Sequence, residues 1–190
     1  RASKLQPQSA AYRRLAAECW LFAGRPSQAA SGFEDALSIE DDAECWYSLA
    51  LARLREQSAL AADERNWKFF EVPFARVEEM AAGGRLDQPW RAALLKADYL
   101  MARAYEEYQP DKTGELVDQL LRETEAQSPA SLELLQRLLV GYEASGAHDD
   151  ADRIVAKIEE LAAIEGMASL SRVQLHMLRK QYSDARQLVE

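Results

Sequence analysis

The feature that most narrows what this chain can fold into is a self-similarity at a shift of about 34 residues. That shift carries Ala2 to Ala36, Leu5 to Ile39, Tyr12 to Trp46, Leu15 to Leu49 and Ala16 to Ala50. Near the other end it carries Asp150 to Asp184, Ala151 to Ala185, Ile154 to Leu188 and Val155 to Val189. Aromatic, large aliphatic and small residues each return as their own type. A period of this length is too short for a domain and long enough for two helices and a turn, a unit that buries its apolar face only by stacking on the next.

A second comparison assumes no period. Read outward from Gly24 and from Gly146, the residue eight before is Ala16 or Leu138 and four before is Trp20 or Tyr142. Five after is Ala29 or Ala151, nine after is Phe33 or Val155, and twelve after is Ala36 or Ile158. Intervals of three and four put these residues on one helix face. The aromatic closing the first helix is expected to fill the gap that a small alanine leaves on the second. Gly24 and Gly146 suit a left-handed helix end, and Pro26 suits the first turn of the next helix, where a missing N–H costs nothing.

These residues resemble the tetratricopeptide repeat pattern, closely over residues 1–57 and 130–190 and weakly between. The resemblance implies an all-α chain, an α-α superhelix (solenoid) of antiparallel helix pairs with about four to five repeats and an irregular middle. Residues 1–9 read as the end of a preceding repeat. Residues 10–43 form a repeat, 44–88 an irregular repeat with an insertion, 89–129 a repeat with a long turn at Glu106–Lys112, 130–165 a repeat and 166–190 a truncated one.

The irregular middle has its own logic. A helix that begins near Asp42 has no glycine to close it and runs past Arg55, after which Ser58 to Arg65 is polar and alanine-rich. Trp67, Phe69, Phe70 and Phe74 then crowd around Pro73, where the next helix is expected to start or to kink. Gly83 and Gly84 end that helix and Pro89 opens another.

Composition excludes several function classes. With 23 basic against 32 acidic residues the net charge is -9, which repels a phosphate backbone, so no nucleic acid is expected as partner. Apolar runs fall short of the roughly 18 residues of a membrane span, so no direct membrane insertion is expected. No targeting information is present, and a cytoplasmic and a periplasmic location are both compatible. Cys19 and Cys45 fall about eight residues apart along neighbouring helices, roughly 12 Å, which is beyond disulfide reach, and both read as core cysteines.

Material for catalysis is sparse. His176 stands where Tyr142 stands one period earlier and reads as a packing residue, while His148 sits in a turn beside Asp149 and Asp150. The acid pairs Glu78–Glu79 and Glu159–Glu160 are adjacent on helices and point apart. Ser58, Ser128 and Ser171 have no base at a suggestive spacing. The chain is therefore expected not to be an enzyme, with no catalytic, cofactor-binding or metal-binding residue.

In repeats of this kind the first helices line a concave side, and each exposes a stripe opposite its core stripe. The resemblance implies a partner-binding stripe of Ala11, Arg14, Glu18 and Leu21, then Cys45, Ser48, Ala52 and Arg55, then Glu133, Gln136, Val140 and Glu143. In the third repeat the best match is Arg91, Leu94, Asp98 and Met101. The chaperone-tail carboxylate clamp of some family members is missing, since the one asparagine, Asn66, lies elsewhere. The expected function is a non-catalytic scaffold that binds a partner protein or peptide on this face. The alternative is a spacer or regulatory segment of a larger multidomain protein, such as a bacterial secretion or envelope-assembly component. Trp67, Phe69, Phe70 and Phe74 form a second candidate surface, either binding a partner or filling a gap. End-to-end self-association through Val173, Leu175 and Leu188 is also expected.

Overall fold

A computed structural model describes residues 9–107, 110–128, 131–165 and 169–181, and among these all regular structure is helical. Contacts divide the chain into two compact units, residues 1–92 and 93–190.

The first unit contains α1 (Ala10–Phe22), α2 (Pro26–Leu37), α3 (Ala43–Ala59), a 3₁₀ turn at Ala62–Glu64, α4 (Lys68–Ala82) and the first turn of α5 (Trp90–Glu107). Each of α1 to α4 packs on its neighbour in sequence, and α1 also meets α3. Gly24, at φ 70°, closes α1 with the amide of Arg25 bonded to the Trp20 carbonyl at 2.9 Å, the Schellman arrangement that its position implied. Pro26 then opens α2. Asp42 caps α3 by accepting from the Cys45 amide at 2.7 Å, which satisfies one of the first-turn donors that a helix leaves open.

The core of this unit is built on small residues around one ring. Ala17 of α1, Ala30 and Phe33 of α2, and Cys45, Leu49 and Ala52 of α3 pack together, all buried. A Cβ at Gly32 would lie 2.9 Å from the Ala17 Cβ, so α1 and α2 approach closely enough to exclude any side chain there. Burying the Phe33 ring contributes roughly 2–3 kcal/mol. Cys45 is a core cysteine as expected, and burial pushes its thiol up to about 12. Cys19 is not, since it lies exposed on the outer side of α1. Trp20 is likewise half exposed, its ring beneath the Arg25 guanidinium at 5.1 Å, and so does not fill the interior gap expected beside the small alanine of α2.

The insertion between α3 and α4 is pinned by the buried Gln57, whose Oε1 accepts from the Asn66 amide at 2.6 Å. α4 starts at Lys68, ahead of Pro73, and runs through it. Of the two alternatives at Pro73, a start or a kink, the start is excluded, since the helix is already under way with the Trp67 carbonyl accepting from the Glu71 amide at 2.8 Å. The rings of Phe70 and Phe74 stack at 5.0 Å and fill the interior with Val77 and Met80.

The second unit contains the rest of α5, α6 (Pro110–Gln127), α7 (Leu132–Ser145), α8 (His148–Glu165) and α9 (Ser169–Leu178). α6, α7, α8 and α9 pack in sequence, and α7 also meets α9. The seven-residue turn expected at Glu106–Lys112 is not there, because α5 continues to Glu107 and α6 begins at Pro110. Ser131 caps α7 through the Leu134 amide at 3.2 Å, and Gly146 ends it at φ 86°. Leu134, Leu138 and Tyr142 of α7 meet Ala151, Ile154 and Ile158 of α8 in a buried core. Leu175, expected at an open end, is buried, whereas Val173 and Leu188 fall outside the residues whose burial is described.

Candidate functional site

The first unit carries a groove of about 370 Å³ between α1 and α3, closed at one end by Arg91 in the first turn of α5. Six of the residues expected on the binding stripe line it together: Arg14, Glu18 and Leu21 from α1, Ser48 and Arg55 from α3, and Arg91 from α5. Their convergence follows from helix spacing, with α1 presenting its 14, 18 and 21 positions toward α3.

Two members of the expected stripe are corrected. Ala52 is fully buried and Cys45 nearly so, both facing α1 and α2 in the core, and neither reaches the groove. Because α3 is flanked by α1, α2 and α4, it exposes only a narrow strip, and Glu44, Tyr47 and Leu51 fill the groove wall in their place. Phe22, beyond the expected stripe, lies at the α1 end. Ala11 lines a separate cleft of about 160 Å³ with Arg14 and Asp42.

The electrostatics of the groove are partly spent and partly open. Arg14 donates to Asp42 at 3.0 Å and lies 3.6 Å from Glu18. Burial works against its charge, and the hydrogen bond and charge of Asp42 outweigh this, holding its pKa above the usual value. Arg91 lies over the Tyr47 ring at 3.9 Å and donates to Glu44 Oε2 at 2.5 Å. The other oxygen, Glu44 Oε1, is buried and has no hydrogen-bond partner. Arg55 is exposed and has no carboxylate partner among the described residues. The groove thus offers the free guanidinium of Arg55 and the apolar side chains of Leu21, Phe22 and Leu51. A peptide supplies the matching carboxylate and apolar groups.

The remaining expected residues lie in the second unit. Glu133 and Gln136 are exposed on α7 and Val140 is half buried there. Glu143 is already taken, its carboxylate accepting from Arg179 at 2.6 Å and lying 3.2 Å from His148 Nδ1. In α5, Leu94 is buried and does not belong to a binding stripe, Asp98 pairs with Arg137 at 2.5 Å, and Met101 is half buried. His176 is half buried, with Nδ1 2.8 Å from Gln181 Oε1.

The aromatic cluster divides. Phe70 and Phe74 are interior residues and present no surface to a partner. Trp67 is half buried beside Arg65, and Phe69 stands out of the surface with the Arg53 guanidinium 5.4 Å from its ring. Helical spacing explains the division, since Phe70, Phe74 and Val77 share one face of α4 and Phe69 belongs to the next.

Among the described residues no helix is long and apolar enough to cross a membrane, and no group of three or more His, Cys, Asp or Glu is placed to hold a metal ion. No protein-family model matches this chain, nor does any curated protein or solved structure.

Proposed function

We propose that the chain is a non-catalytic binding module of tetratricopeptide type, its helix pairs repeats of a solenoid, that holds a segment of a partner protein in the groove between α1 and α3. The observation that carries this reading is the convergence of Arg14, Glu18, Leu21, Ser48 and Arg55 in one groove. The repeat pattern puts these five on one stripe, together with Ala11, Cys45 and Ala52, which do not line the groove. Further support comes from packing within each unit, where helices meet their neighbours and also the helix two along, as α1 meets α3 and α7 meets α9. The unpaired, exposed guanidinium of Arg55 suits a peptide carrying a carboxylate.

The test is affinity selection of peptides from a random display library on the whole chain, followed by titration against Arg55→Glu and Leu21→Asp. Both substitutions spare the Arg14–Asp42 pair that supports the α3 cap. Loss of a buried or guided charge pair costs about 1.5 kcal/mol or more, so at least a tenfold weakening by Arg55→Glu is expected. Peptides that bind both variants as well as the parent chain would sink the groove reading and leave the spacer reading in its place.

A further inference from the structure

α1 is apolar on two sides. Its inner side, at Ala17, packs into the core with α2 and α3. On its outer side Tyr12, Leu15, Ala16, Cys19, Trp20 and Phe22 occupy an arc of roughly 160°, at about 100° per residue, with no charged residue among them. Leu15 is 58%, Trp20 42% and Phe22 92% exposed, and Ala16 and Cys19 lie open between them. The charged residues of α1 stand beside the arc, Arg13 held by Asp35, and Arg14 by Asp42 and Glu18. A helix that is apolar nearly all round is one that other helices enclose.

In the second unit the corresponding face is covered. Counted back from the closing glycines, Tyr12, Ala16, Cys19 and Trp20 of α1 correspond to Leu134, Leu138, Gly141 and Tyr142 of α7. There Leu134, Leu138 and Tyr142 are buried. α6 lies against this side of α7, with its Leu121 methyls 3.0 Å from the place a Cβ on Gly141 would take. Its Glu125 accepts from the Tyr142 hydroxyl at 3.2 Å, and its Asp118 accepts from the Ser145 hydroxyl. The same face of α1 is therefore a seat for a helix, but not for one like α6. The Cys19 side chain stands where Leu121 requires a glycine, and Ala23, in the place of Ser145, has no hydroxyl to give an acid.

The occupant has to be uncharged along its contact, small opposite Cys19 and large opposite Ala16. α1 meets these demands itself. About a two-fold axis at Cys19, antiparallel copies bring residues at equal distances from Cys19 level with one another. Phe22 of each copy then meets Ala16 of the other, and Leu15 meets Ala23. Large side chains fall on small ones at both ends. Each copy carries a net charge of -9, and a neutral arc lets two such chains meet without like charges in contact. Other exposed apolar residues lack this property, since Lys68 and Glu71 adjoin Phe69 and Val72 on α4, and Glu115 adjoins Leu116 on α6.

We propose that the outer face of α1 binds the same face of a second copy of this chain, the two helices packing antiparallel about Cys19. With helix axes about 8–10 Å apart and Cα atoms about 2.3 Å from each axis, the two Cys19 Cα atoms come to about 5 Å, within reach of a disulfide. One helix of 13 residues from each copy makes a contact at the small end of protein interfaces, so a dissociation constant of about 10–100 μM is expected.

The experiment is sedimentation equilibrium of the whole chain under reducing conditions, from about 1 to 500 μM. A concentration-dependent dimer is expected. Ala16→Glu puts a charge in the contact at an exposed position that suits glutamate in a helix, and it is expected to weaken the dimer at least tenfold with an unchanged far-ultraviolet dichroism spectrum. Arg55→Glu, in the groove on the other side of α1, is expected to leave it unchanged. Copper(II) phenanthroline then reports the geometry, since two Cys19 thiols release two protons and pass two electrons to copper as one disulfide forms. The covalent dimer is expected in the parent chain, at least tenfold more slowly in Ala16→Glu, and not in Cys19→Ser, because Cys45 is buried. A chain that stays monomeric throughout overturns the proposal and leaves the face to a helix of another protein. It is also overturned by a dimer that survives Ala16→Glu, by one that Arg55→Glu weakens, or by an associating chain that forms no Cys19 disulfide.

Discussion

Lys180 stands one period of about 34 residues after Gly146 and takes the same left-handed backbone, at φ 57° where Gly146 has 86°. The bonds that close the helix end are also repeated, with the Gln181 amide on the His176 carbonyl at 2.8 Å, as the Ala147 amide is on Tyr142 at 2.9 Å. A side chain with a Cβ costs roughly 1 kcal/mol or more in this region, and glycine does not. Lys180→Gly is therefore expected to raise stability by about 1 kcal/mol, read as a higher urea midpoint with an unchanged slope. No gain, or a loss, would show that the lysine side chain contributes something that offsets its backbone.

At the scale of elements, the α1–α2 pair depends on Gly32 more than on the alanines that the repeat pattern singles out. The space for a Cβ at Gly32 is taken by the Ala17 Cβ at 2.9 Å, and a Cβ anchored in a helix backbone cannot swing aside. Gly32→Ala gains about 1 kcal/mol of helix propensity, yet it forces the two helices apart across the Phe33 core. A net loss of about 1–3 kcal/mol in chemical denaturation is expected. A more stable variant would mean that α1 shifts at little cost. Gly32 illustrates what was legible in the sequence and what was not. The glycine and proline of the first turn, the helix start near Asp42 and the buried Ala29, Phe33 and Ala36 follow from spacing and local chemistry, and the structure has them where the pattern put them. Which residues of α3 face outward depends instead on how many neighbours flank that helix, a tertiary fact that moved Ala52 and Cys45 inward and brought Tyr47 and Leu51 to the groove. Pro73 left two alternatives open in the sequence, a helix start or a kink, and only the structure shows that α4 begins ahead of it, at Lys68.

At the scale of the whole molecule, the two units differ in how they carry charge, and this gives them different responses to acid. In the second unit, Glu125 of α6 accepts from Arg153 at 2.5 and 2.8 Å and from Lys157 at 2.5 Å, both on α8, and from the Tyr142 hydroxyl of α7 at 3.2 Å. Chiefly through the Arg153 hydrogen bonds, its pKa is lowered from 4.5 to about 2, and the side chain is only 12% exposed. A folded-state value below the unfolded one means that the contribution is complete above pH 4.5 and fades as the pH falls toward about 2. By pH 3 the loss is about 2 kcal/mol at most. Asp150, held low by Arg122 and then Arg153, acts in the same direction. The first unit has the lowered Asp41, but that carboxylate is in solvent and is screened. All four tryptophans, at positions 20, 46, 67 and 90, lie in the first unit, so their fluorescence follows that unit alone while circular dichroism follows helices of both. Urea unfolding at pH 7 and pH 3 is therefore expected to lower the dichroism midpoint more than the fluorescence midpoint. In Glu125→Gln the extra acid shift of the dichroism midpoint should largely disappear, because the neutral side chain has no charge to lose. Equal shifts of both probes in the parent chain would place the acid sensitivity outside the Glu125 network.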